Sequence, residues 1–145
     1  MILVIQRVSG SSVSVDGKTV GSIDRGLMIL IGIHKDDAEP SADALAAKCA
    51  DLRIFPDDTG KMNLSLKDIG GEALVISQFT LLGNCSKGRR PNFTDAAPAE
   101  KGRELYECFV KKLKNHVRKV ETGVFGADMK VQLVNDGPVT MVIEG

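Results

Sequence analysis

The sequence predicts an α+β protein: a mostly antiparallel β-sheet closed into a barrel-like structure, with two helices packed on it. Three observations carry this prediction. Short β-branched runs separated by Ser-Gly, Asp-Gly and Arg-Gly punctuation open the chain, two later stretches change to a helical period, and apolar alternation returns near the C-terminus.

The opening runs cover residues 2–9, 12–16, 19–24 and 27–33, with Asp16-Gly17-Lys18 and Arg25-Gly26 as punctuation between consecutive hairpins. They predict an antiparallel meander. From Ser41 to Leu52 the residues Ala42, Leu45, Ala46, Cys49 and Leu52 share one helical face, and Pro40 and Ser41 suit its start. Residues 56–71 are rich in turn formers. They lead to a strand over Glu72–Leu82, buried to judge by its continuous apolar stretch Ala73-Leu74-Val75-Ile76.

Residues 83–98 hold Gly, Pro, Asn and clustered positive charge without periodicity, and so form a surface loop of functional length. A second helix follows, with Pro98 fitted to its first turn and Leu105, Phe109 and Leu113 at i, i+4 and i+8. Residues 117–122, 129–134 and 139–143 predict three more strands, the last two separated by Asn135-Asp136-Gly137-Pro138-Val139-Thr140, which reads first as a turn. No repeat, low-complexity tract or linker divides the chain, so residues 1–145 are expected to form a single domain.

At 145 residues and 43% apolar content the chain can build a core without disulfides or metals. Its 19 basic and 19 acidic residues cancel, which excludes binding of nucleic acid or membrane by bulk charge. Any polyanion must be met by a local patch. Cys49, Cys85 and Cys108 form no CxxC pair and no cluster with zinc-ligand spacing, so no metal is expected and a reducing cytoplasm fits best. The apolar run Met1–Ile5 stops at Gln6-Arg7, too short for a signal segment, and no stretch approaches the ~20 apolar residues of a membrane span.

Candidate chemistry is sparse. His34 follows an apolar strand and His116 sits at the basic end of the second helix, where an imidazolium suits the helix dipole; both positions favour structural roles. Cys49 and Cys108 have core-facing spacing, whereas Cys85 lies beside Lys87, Arg89 and Arg90, cations able to lower a thiol pKa. The segment Lys87-Gly88-Arg89-Arg90-Pro91-Asn92-Phe93 either grips phosphates and stacks on a base or is simply a solvated charged loop. Ser77-Gln78-Phe79-Thr80 ends a buried strand and is either a site or an ordinary strand exit. Thr80 as a nucleophile would need a base, and no histidine or terminal amine is an obvious partner.

With Ser77-Gln78-Phe79-Thr80-Leu81 and Asn135–Thr140 both in hand, the sequence resembles the D-aminoacyl-tRNA deacylases, chiral proofreading enzymes of translation. The likeness covers essentially the whole chain, including residues 5–17, 52–66, 87–93 and 121–140. It implies a homodimer of barrel-like subunits, with active sites near the subunit interface, that hydrolyses the ester between a D-amino acid and the 3′ end of tRNA without a metal or organic cofactor. It also implies a cis Gly137–Pro138 bond whose carbonyls reach into the partner's active site, accept from the substrate ammonium and leave no room for an L side chain. Glycine lacks that side chain, so glycyl-tRNA, including glycine wrongly carried by the alanine tRNA, is an implied substrate.

The resemblance further implies that Arg7 orients the Gly-Pro element and that the 2′-hydroxyl of the terminal adenosine helps activate water. Backbone N–H groups near Phe79 and Thr80 would stabilise the oxyanion while Ser77, Gln78 and Thr80 orient adenosine and ester. Phe125 and Met129 would line the pocket, and Lys87, Arg89 and Arg90 are inferred to meet tRNA phosphates. Two rival readings are a Thr80-dependent hydrolase of small esters or peptides and a non-enzymatic RNA-binding module.

Overall fold

The computed structural model describes residues 1–145. The chain forms eight strands and two α-helices: β1 (Ile2–Val15), β2 (Lys18–Ile23), β3 (Gly26–Gly32), α1 (Glu39–Asp51), β4 (Phe55–Pro56), β5 (Met62–Leu64), β6 (Glu72–Ser77), α2 (Ala99–Leu113), β7 (Val120–Thr122) and β8 (Lys130–Glu144). A 3-10 turn, Phe79–Leu82, follows β6. The main sheet runs β2-β1-β3-β6-β7, with β8 paired to β1, while β4 and β5 form a separate ribbon.

The strand number matches the expectation, but the strands differ. Residues 2–9 and 12–16 form one strand, because β8 pairs across the Ser9-Gly10 interruption and absorbs it as a register shift. That shift changes which face each side chain meets. Leu3 and Ile5 enter the large core under the helices, whereas Val13 enters a smaller core with Val8, Ile23, Met28, Leu74 and Ile76. The turn into β2 is Asp16-Gly17, with φ of 50° and 76°, the left-handed pair that a two-residue hairpin requires.

The sheet is mixed rather than purely antiparallel, since β3 pairs β6 and β6 pairs β7 in parallel. The parallel connections are made by chain segments containing α1 and α2, which cover one face of β3 and β6, while the smaller core covers the other through Met28, Leu74 and Ile76. Ala42, Leu45, Ala46, Cys49 and Ala50 of α1 and Leu105, Phe109 and Leu113 of α2 fill the large core. Leu52, expected on the α1 face, caps that helix instead and packs half-buried at the core's edge. The sheet curls until β2 meets β7. A Cβ at Gly21 would lie 2.7 Å from the Thr122 carbonyl oxygen, so the near-closure of the barrel depends on a missing side chain there.

Gly26 imposes a tighter requirement. A Cβ there would stand 1.8 Å from the Glu72 carbonyl oxygen, with no flexible side chain to yield. Gly26→Ala is therefore expected to destabilise the fold by at least about 3 kcal/mol. In thermal unfolding that corresponds to a Tm lower by roughly 10 °C. Gly10→Ala, whose new methyl meets nothing closer than 3.6 Å, should leave the Tm nearly unchanged.

Candidate active site

The site begins where β6 ends. The sequence expectation carried this strand to Leu82, but it stops at Ser77 and the chain winds into the 3-10 turn. The reason lies in its parallel neighbour. Gly32, the last residue of β3, lets the turn fold over the strand: a Cβ there would be 2.5 Å from Leu82 Cδ2 and 3.0 Å from the Gln78 carbonyl oxygen. Gln78 N–H donates to Ile31 O at 2.8 Å and Leu81 N–H to Gln78 O at 3.2 Å. The N–H groups of Phe79 and Thr80 open the turn and donate to no carbonyl within it.

Beside these donors lies a cleft of about 530 Å³. Ile31, Ile33 and Ile76 supply apolar floor, Ser77, Gln78 and Phe79 form one rim, and Phe125 and Met129 stand among the facing residues. Phe125 is held from three sides. Its ring centroid is 5.8 Å from that of Tyr106, the Arg103 guanidinium lies 5.0 Å over it, and its edge lies beside Gly102, where even a Cβ would be at ordinary contact distance, 3.5 Å. Burial pushes the Tyr106 hydroxyl up to about 12, and it donates to Val75 O at 2.9 Å, so it stays a protonated structural donor.

Asp128 is the charged side chain of the lining, and Lys130 Nζ holds its carboxylate at 3.0 and 3.2 Å. Neither His34 nor His116 lines the cleft. Thr80 Oγ accepts from Gln78 Nε2, which gives the hydroxyl an orientation and no base. No group of three or more His, Cys, Asp or Glu side chains is gathered to hold a metal ion, and no helix is long and apolar enough to cross a membrane. The arrangement can bind a ring and a small apolar side chain and present two N–H donors to a developing negative charge.

Asn135–Thr140 is not a turn between strands. The ladder pairs Gln6 with Thr140 and Val8 with Asn135, so Asp136, Gly137, Pro138 and Val139 bulge out opposite the single residue Arg7. Proline fits such a place because it has no N–H to contribute to a ladder. Gly137 has φ of 128°, and its bond to Pro138 is cis. Arg7, only 9% exposed, grips the base of this bulge: Nε donates to Asp136 O at 3.0 Å and Nη1 to Ile54 O at 2.7 Å. Asn135 spans the bulge from the other side, accepting from Val139 N–H at 3.2 Å and donating to Thr140 Oγ1 at 3.0 Å.

Of the residues singled out from the sequence, Ser77, Gln78, Phe79, Phe125 and Met129 meet in one cleft, with Thr80 adjoining. Arg7, Gly137 and Pro138 form a second constellation that does not line the cleft of the same chain, and Lys87, Arg89 and Arg90 are exposed outside it. Their loop is pinned at its neck by Asn84 and Asn92, whose backbones exchange hydrogen bonds of 2.8 and 3.1 Å, and by Phe93 against Phe79 with ring centroids 5.0 Å apart. Sequence reasoning missed Gly102 and Asn135. An isolated glycine inside a helical pattern is the signal that could have pointed to Gly102.

The chain is a near-closed mixed barrel with an apolar cleft at the end of β6 and N–H donors beside it. The family model described as D-Tyr-tRNA(Tyr) deacylase matches residues 4–144, and the chain belongs to this family. It is 59% identical to the D-aminoacyl-tRNA deacylase of Geotalea uraniireducens over 144 residues, covering 99% of this chain and 93% of that one. The enzyme of the same name from Thermotoga petrophila is 57% identical, with 99% and 97% covered. Among solved structures, the c-Myc DNA Unwinding Element Binding Protein superposes with a TM-score of 0.94 at 38% identity, covering 100% of this chain and 99% of that one. A probable eukaryotic D-amino acid tRNA deacylase shares the fold at a TM-score of 0.85 and 18% identity, with 98% and 97% covered.

Proposed function

We propose that the protein hydrolyses the ester of D-aminoacyl-tRNA, releasing the D-amino acid and free tRNA. The observation that carries this reading is the pair of unpartnered N–H groups at Phe79 and Thr80 beside a cleft lined by no histidine and by one carboxylate, Asp128, which is paired with Lys130. The terminal adenosine and the amino-acid side chain occupy the cleft against Phe125 and Met129, while Ser77, Gln78 and Thr80 orient the ester. Water attacks the carbonyl carbon, aided by the 2′-hydroxyl of the adenosine, and the two N–H groups receive the oxyanion. Collapse of the tetrahedral intermediate expels the ribose 3′-oxygen, which takes up a proton.

In this reading two copies associate, and the Gly137-Pro138 bulge of each enters the cleft of the other. The free edge of β8 supports it, because that strand pairs only with β1 and exposes Val134, Met141 and Val142. Carbonyls of the bulge accept from the substrate ammonium and exclude an L side chain, so glycyl-tRNA, including glycine on the alanine tRNA, is also cleaved. The working place is the cytoplasm, where charged tRNA is found.

Parallel incubation with D-Tyr-tRNA and L-Tyr-tRNA tests the reading. Loss of the D-ester alone is expected; equal cleavage would make it a non-chiral esterase, and salt-sensitive binding without cleavage would leave only an RNA-binding module. Thr80→Ala separates the remaining rival. It should lower kcat by no more than about tenfold, whereas a threonine nucleophile would lose essentially all turnover.

A further inference from the structure

A second groove, of about 360 Å³, runs beside α2 and shares Phe125 with the cleft. Its α2 wall presents Arg103, Lys111 and Lys114, with Glu107 among them; Thr122 and Gly123 stand opposite. The cations of this helix are not equivalent. Lys112, on the side facing α1, lies 3.6 Å from Glu39 and 3.5 Å from Asp43. Lys101 Nζ donates to Lys35 O at 2.6 Å. Arg103, Lys111 and Lys114 are exposed and form no ion pair, not even with Glu107.

In a protein whose formal net charge is zero, three cations outside any ion pair and a single carboxylate, Glu107, give this groove a local positive excess, although Glu104 lies nearby on the far side of Lys111. From Arg103 to Lys114 the helix covers roughly 16 Å at 1.5 Å per residue. Arg103 is the inner end, since its guanidinium already rests on the Phe125 ring at 5.0 Å, leaving its N–H fork free for an anion. The track therefore starts at the wall of the cleft and leads away from it.

We propose that this groove receives the sugar-phosphate backbone leading to the terminal adenosine, with Arg103 at its inner end and Lys111 and Lys114 further out meeting its phosphates. The proposal rests on the deacylase reading, because a nucleotide seated in the cleft must have its chain leave by a contiguous path. Such contacts position the ester without reading bases. They raise kcat/KM for full-length tRNA and do nothing for a substrate that lacks phosphates.

The double variant Lys111→Gln/Lys114→Gln carries the test, since neither lysine touches Phe125. Three measurements are made: cleavage of D-Tyr-tRNA, cleavage of 3′-O-D-tyrosyl-adenosine, and binding of uncharged tRNA from 50 to 300 mM salt. Lys18→Gln/Lys61→Gln removes the same charge elsewhere and serves as control, and Lys87→Gln/Arg89→Gln/Arg90→Gln tests the exposed loop. The expected result is a loss of about tenfold in kcat/KM for D-Tyr-tRNA, unchanged cleavage of tyrosyl-adenosine, and a log–log salt slope for tRNA binding shallower by about 2, one for each lysine. An unchanged slope, a loss equal to that of the control pair, or a loss confined to the loop variant would overturn the track. Failure of the wild type to cleave either D-ester would instead overturn the deacylase reading, while the tRNA-binding slopes would still decide the track.

Discussion

Proline at position 79 should lower kcat for D-ester cleavage about 10²- to 10³-fold below that of Phe79→Ala, the loss typical of one oxyanion donor. The comparison isolates a single N–H. Both variants lose the aromatic ring and its 5.0 Å packing against Phe93, but only proline removes the donor. Position 79 tolerates proline on local grounds. It opens the 3-10 turn, so its N–H holds no helical bond, and Gln78 before it, at φ −146° and ψ 80°, is already outside the helical region that a following proline disfavours. Single-turnover cleavage of D-Tyr-tRNA is the measurement, with circular dichroism and thermal unfolding to verify that the two variants fold alike. Equal rates in the two variants would remove Phe79 N–H from the mechanism.

Gly137→Ala should reduce the ratio of D- to L-ester kcat/KM by about 10- to 100-fold, from the 1–3 kcal/mol that a side chain costs in this backbone region. Two features act together. The φ of 128° disfavours any L residue, and the new methyl would sit 2.8 Å from Arg7 Nη2 and 2.9 Å from Val139 Cγ2. Relief requires the bulge to move, and with it the carbonyls proposed to exclude the L side chain. Wild-type discrimination in this variant, measured on D-Tyr-tRNA and L-Tyr-tRNA, would sink the assignment of the bulge as the chiral filter.

The sequence was most legible where local chemistry and global fold agree. Asp16-Gly17 announced its hairpin, and the apolar spacing of Ala42 to Cys49 and of Leu105 to Leu113 gave both helices nearly to their ends. It was least legible where a partner strand overrides a local signal. Ser9-Gly10 and Gly137-Pro138 both look like breaks, yet β1 and β8 pair through them, because a long ladder on either side outweighs one poor position. The exit of β6 was hidden for a similar reason: what stops it is the space over Gly32, forty-odd residues away in the chain. Residue chemistry alone left Ser77–Thr80 undecided between a site and a strand end, since the free N–H groups belong to the backbone and have no letter in the sequence.

The ladder resumes on both sides of Arg7 in a shifted register, and this has a further consequence. Because Gln6 still faces Thr140 and Val8 still faces Asn135, the four residues between them contribute no rungs to the sheet. The bulge is in effect an insert clamped at its base by Arg7, and the scaffold does not register what it displays. Substitutions at its tip should therefore add nearly independently to changes elsewhere in the barrel, whereas substitutions at Arg7 or Asn135 should not. A selective surface built in this way can be altered without renegotiating the fold that carries it.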